Sequence, residues 1–187
     1  MKKRILGLLS AVVVTGFSAC TTFGNVGAAL GLVEHAYEAT IWVNGEPQTL
    51  GYGAAFSVYV SDGDVFVAGN VWDSDKEVIR ATLWKNGIAQ TLSYIDSRAF
   101  SVVVSDGDIY VAGWEDNMAT LWVNGVSQRL SYNDSFANSV FVSGDDVFVA
   151  GNAGMRWGGY GDNSRATLWV NGTPRRLRTY PQIINSR

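Results

Sequence analysis

The sequence has little of what most enzyme sites are built from. It contains one histidine, His35, and one cysteine, Cys20. A Ser-His-Asp triad or a histidine-rich metal site is hard to assemble from a single imidazole. No glycine-rich loop follows a strand and opens a helix to cradle phosphate. Prolines number only 3, and charged residues are 17% of the chain against 47% hydrophobic. That balance belongs to one globular domain and not to a disordered chain. A basic surplus is also missing. The net charge is −3, and without Lys2, Lys3 and Arg4 it is −6, with 11 basic against 17 acidic residues. Nucleic-acid binding needs a basic footprint, so that partner is disfavoured. Arg175, Arg176 and Arg178 form one short cluster, the usual pattern of a solvated edge.

What is present begins with the N-terminus, MKKRILGLLSAVVVTGFSAC. A basic segment precedes an apolar run from Ile5 to Phe17, too short to span a bilayer comfortably. Small residues then lead to Cys20. Residues 1–19 are therefore expected to be a signal peptide, outside the fold. The stretch FSAC resembles the lipobox of bacterial lipoproteins, with Phe17 where leucine is usual. The resemblance implies that Cys20 is acylated and becomes the mature N-terminus. Its further implication is a cell-envelope protein, lipid-anchored at the outer membrane or cell surface. Such a mature chain has no free thiol and no disulfide, so packing alone must hold it together.

One phrase occurs four times: ATIWVNG at 39–45, ATLWKNG at 81–87, and ATLWVNG at 119–125 and 166–172. The spacings are 42, 38 and 47 residues. Other phrases keep step. SVYVSDGDVFVAG runs 57–69, SVVVSDGDIYVAG runs 101–113, and SVFVSGDDVFVAG runs 139–151. QTL, QTL, QRL and RRL end the four units, at 48–50, 90–92, 128–130 and 175–177. The segments are short, β-branched and aromatic, and are bounded by turn residues, so they read as strands. SDGD and Asn-Gly are hairpin turns, because Gly and Asn tolerate positive φ. Each unit then holds four antiparallel strands in about 40 residues, the pattern of a propeller blade. Runs such as Val65-Phe66-Val67-Ala68 lack in/out alternation, as expected for strands covered on both faces by neighbouring blades.

The expected fold is all-β and propeller-like, with blades at 57–93, 101–131 and 139–178. Residues 39–51 supply the outer two strands of a partial blade. NVGAALG at 25–31 is a candidate degenerate strand for it, within a tether of residues 20–38. The repeats thus occupy 39–178, and 179–187 form a tail. The pattern resembles WD-repeat propellers, without their Gly-His and with Trp-x-Asn in place of Trp-Asp. It is more similar to bacterial surface lipoproteins with tandem ATLWKNG and SVFVSGDDVYVAG units. Two closures follow from this count: a small four-bladed ring, or an open arc that exposes an apolar face and can form a homo-oligomer.

Where chemistry lives is less determined. The turn carboxylates (Asp62 and Asp64, Asp106 and Asp108, Asp145 and Asp146) suit the turns themselves. Calcium wants six or more oxygens, so no metal and no cofactor is expected. The longer connections are 70–80, 114–118 and 152–165, with 93–100 and 131–138 between blades. They fall on the end opposite the tight turns and vary in length, as binding loops do. Trp72 with Asp73, Trp114 with Asp116, and Trp157 with Tyr160 are the candidate ligand contacts. An aromatic platform beside carboxylates suits a sugar ring. The competing reading is that these tryptophans pack against their own blades. The expected function is a non-catalytic module binding a glycan or a protein through this end. The alternatives are a structural protein pairing through open blade edges, or a glycoside hydrolase using loop carboxylates such as Asp73 and Asp116.

Overall fold

The computed structural model describes residues 37–154 and 165–177, apart from the side chains of Asn133 and Arg176. The signal peptide, Cys20, the candidate strand at 25–31, His35, Trp157, Tyr160 and the tail lie outside the described residues. The strands are β1 (Glu38–Val43), β2 (Glu46–Ser61), β3 (Asp64–Asp73), β4 (Val78–Lys85), β5 (Ile88–Thr91) and β6 (Ser97–Ser105). They continue with β7 (Asp108–Glu115), β8 (Met118–Val123), β9 (Val126–Ser143), β10 (Asp146–Ala153), β11 (Arg165–Val170) and β12 (Thr173–Arg176). Chain neighbours pair antiparallel, except β5 and β6, in sheets ordered β1-β2-β3-β4-β5 and β12-β11-β10-β9-β8-β7-β6.

The fold is that of β-propeller blades. β2 pairs with β1 through Glu46–Tyr52 and with β3 through Gly53–Ser61. It is thus the outer strand of the partial blade and the inner strand of the first full blade. β9 does the same between the second and third full blades. The expected inter-blade loop at 131–138 is therefore continuous strand. The bend is absorbed by a register shift between Met118 and Thr120, not by a turn. Only the connection between the first and second full blades is open, since β5 ends at Thr91 and β6 starts at Ser97.

The turns form as their residues dictate. Asn86-Gly87 takes φ of 52° and 79°, and Asp62-Gly63 takes 51° and 85°, the left-handed pair of a type I′ hairpin. A β-bulge recurs in each inner strand, at Phe56, Phe100 and Asn138. Opposite it, the glycine of VAG is sterically required. A Cβ on Gly113 would collide with the Arg98 carbonyl and come within 2.9 Å of the Trp122 ring.

Three apolar clusters lie between blades. Ala39, Val67 and Trp84 join the partial blade to the first full one. Phe66, Ala68, Leu83, Val102, Val111 and Trp122 join the first to the second. Ala112, Leu121, Leu130, Val140, Val149 and Trp169 join the second to the third. Middle strands are buried on both faces: Phe66–Asn70, Ala81–Trp84, Val111–Trp114 and Ala119–Trp122 are continuous buried runs. In β11 burial alternates, because nothing among the described residues covers the far side of the last blade.

Candidate functional site

The tight-turn end is occupied by its own hydrogen bonds. Asn86 Oδ1 accepts the Val65 N–H at 2.8 Å, and its Nδ2 donates to Asp64 Oδ1 at 2.8 Å. Asn124 treats Ile109 and Asp108 alike, at 2.9 and 2.8 Å. Asn171 treats Val147 and Asp146 alike, at 2.8 Å each. So the Asn of LWxNG clasps the Asp that follows the neighbouring turn. Lys85 adds an exposed ion pair to Asp64 at 2.7 Å. Its hydrogen bond, and then that from Asn86, hold the Asp64 carboxyl below the usual carboxylate range. Burial, helped by Asp108 and Asp106, pushes the Tyr110 phenol up. Among the described residues no three His, Cys, Asp or Glu side chains group to hold a metal ion. The recurrence of Asn-Gly in step with the Asp-bearing turn signals this clasp, which is lost when the two are read as separate turns.

The opposite end differs from its expectation. The connections expected at 70–80 and 114–118 shrink to turns, because β3 runs to Asp73, β4 starts at Val78, β7 runs to Glu115 and β8 starts at Met118. Asp116 and Asn117 take φ of 52° and 60°, a two-residue hairpin turn. Asp73 forms an ion pair with Arg80 and accepts the N–H groups of Asp75 and Lys76 at 3.0 and 3.2 Å. Its carboxylate is engaged in shaping its own turn.

The candidate tryptophans are not equivalent. Trp72 is 43% exposed on β3. Trp114, a candidate ligand contact, is only 8% exposed. It sits edge-on to Phe136 at 5.8 Å, with the Arg98 guanidinium 6.0 Å above its ring. Phe136 belongs to β9 as it enters the third blade, so Trp114 is an inter-blade contact. The reason is register: Trp114 lies opposite Ala119, within the strand and not in a loop. Trp72 and Trp114 occupy the same end of adjacent blades, but only Trp72 offers an open ring.

Apolar side chains are also uncovered on the blade faces. Trp84, Trp122 and Trp169 are 0% exposed, whereas Trp42, in the same phrase, is 45% exposed. Trp42 differs because no described blade precedes its own. At the other end, Leu177 is 53% exposed, while its repeat partners Leu92 and Leu130 are buried. Ala150 and Ala166 are exposed where Ala68, Ala81, Ala112 and Ala119 are fully buried. These faces were legible only as a consequence of an open arc.

No family model and no curated protein matches the chain. Among solved structures it is similar to the β-propeller domain of the Trilobed protease from Pyrococcus furiosus, described as having an open velcro topology. The identity is 15% and the TM-score 0.45, covering 80% of this chain and 46% of that one. It is also similar to the acylaminoacyl peptidase of Pyrococcus horikoshii, at 17% identity and a TM-score of 0.45, covering 79% of this chain and 23% of that one. The chain spans less than half the length of either.

Proposed function

We propose that this protein is a non-catalytic, lipid-anchored module of the bacterial cell envelope that binds another protein through its uncovered blade faces. One observation carries the reading. Positions fully buried inside the stack are exposed at its two ends, as Trp42 against Trp122 and Ala150 against Ala112. Apolar side chains left uncovered in this way mark interaction surfaces in soluble proteins. The lipobox resemblance at Cys20 supports the anchor. The test is photo-crosslinking from residue 42 or residue 150 of the intact lipoprotein in its native envelope, with residue 106 in the tight turn as control. Protein adducts from 42 and 150, and none from 106, are expected. Adducts from 106 alone, or from no position, would sink the reading.

A second reading keeps a glycan as ligand, favoured by the exposed ring of Trp72. A glycan array probed with the protein and with its Trp72→Ala variant tests it. Binding lost in the variant supports it, and no binding by the parent removes it.

A further inference from the structure

We propose that the partner is a second copy of this chain: the two uncovered faces bind each other, and copies associate head to tail. The inference rests on the interaction-module reading above and names its partner.

The argument is continuity with interfaces the molecule already contains. Within the chain, the first full blade presents Phe66, Ala68, Ala81, Leu83 and Leu92 to Trp122 of the second, and the second presents Tyr110, Ala112, Ala119, Leu121 and Leu130 to Trp169 of the third. The last described blade carries the same set at Phe148, Ala150, Ala166, Leu168 and Leu177. No described residue stands in the position of the tryptophan that would cover them. The partial blade carries the tryptophan, Trp42, with no described blade before it.

A hydrogen bond marks the same register. Trp84 Nε1 donates to the Leu50 carbonyl at 3.1 Å, and Trp169 Nε1 donates to the Leu130 carbonyl at 2.8 Å. In each case the indole reaches the leucine that closes the preceding unit. Trp42 Nε1 and the Leu177 carbonyl are the two halves of that bond, at opposite ends of the described blades. Trp122 shows that the bond is not obligatory. Its Nε1 is buried without a partner, and Leu92 lies just beyond β5 instead of inside a continuous strand.

Charge agrees with the pairing. β1 and β2 carry Glu38 and Glu46 and no Lys or Arg, while β11 and β12 carry Arg165 and Arg175 and no carboxylate. The interface is heterologous, since one copy's front meets the other's back. Such a contact extends into rings or filaments unless the rotation closes early.

The test uses full-length chains with one added cysteine, Trp42→Cys or Leu177→Cys, carrying tags of different size and treated in the envelope with a short bismaleimide. Both positions are exposed, so neither change empties the core. A cross-linked dimer is expected when the two variants are co-expressed and not from either alone, and the double variant should give a ladder of oligomers. Dimers from one variant alone would mean a symmetric face-to-face contact and overturn the proposal. So would a double variant that cross-links only within its own chain, because residues of the same chain would then cover the faces. Absence of any cross-link also overturns it. If residue 42 still photo-crosslinks to a different protein, the interaction-module reading stands while the self-association fails.

Discussion

Trp169 of the third full blade donates its indole N–H to the Leu130 carbonyl, 39 residues earlier, across 2.8 Å. The contact joins the phrase ATLWVNG of one unit to the phrase QRL of the unit before it. At Trp84 and Trp169 the bond ties the two phrases together: an indole sealed between blades keeps a hydrogen bond only if a backbone acceptor stands at the right place.

The four tryptophans of the repeated phrase should separate by position in the stack. Trp122→Ala should cost roughly 3–5 kcal/mol, the range for a large buried aromatic. Trp42→Ala should cost less than about 1 kcal/mol in the isolated chain, as for surface substitutions. Trp114→Ala should fall with Trp122, because its ring is sealed against Phe136. Urea unfolding of the three variants decides. Similar losses for Trp42 and Trp122 would mean that Trp42 is covered.

The asparagine clasp separates backbone conformation from hydrogen bonding. Asn124→Gly keeps the left-handed turn but removes the bonds to Ile109 and Asp108, and should cost about 0.5–1.5 kcal/mol. Asn124→Ala loses the bonds and also strains a residue at φ of 52°, so it should cost roughly 1 kcal/mol more. Equal midpoints for the two variants would show that the turn carries no strain.

Asp64 makes a pH prediction. Its folded pKa lies below the ordinary aspartate value because Lys85, first, and Asn86 favour the carboxylate. A depressed carboxyl contributes stability above its unfolded pKa and loses it as pH falls through the folded value. The contribution should thus be complete near neutral pH and fade in acid below the ordinary carboxylate range. Carboxyl NMR titration should place Asp64 below that range, and Lys85→Met should move it upward. An unmoved titration would show that the Lys85 contact is not populated in solution, as exposed ion pairs often are not.

The anchor is tested at Cys20. Cys20→Ser should abolish acylation and release the protein from the membrane fraction, since each buried CH₂ of an acyl chain contributes about 0.8 kcal/mol. Fractionation after a high-salt wash is the measurement. A variant that stays with the membrane contradicts the lipoprotein reading.

By itself the sequence determined the strands, the turns and the blade. Asn-Gly and Asp-Gly set left-handed turns through their own φ preferences, and unbroken apolar runs such as Val111-Ala112-Gly113-Trp114 announce strands covered on both faces. These are properties of neighbouring residues, so they can be read along the chain. Tertiary structure alone decided the rest. Trp42 and Trp122 share a phrase yet differ in burial, because burial depends on whether a blade stands in front. Trp114 belongs to a core because Phe136, 22 residues later, closes over it. The segment 131–138 carries loop-forming residues but continues as strand, because the next blade supplies a ladder for its backbone. The Asn124–Asp108 clasp needs two turns brought side by side. Each of these depends on distant groups meeting in space, which residue order does not state.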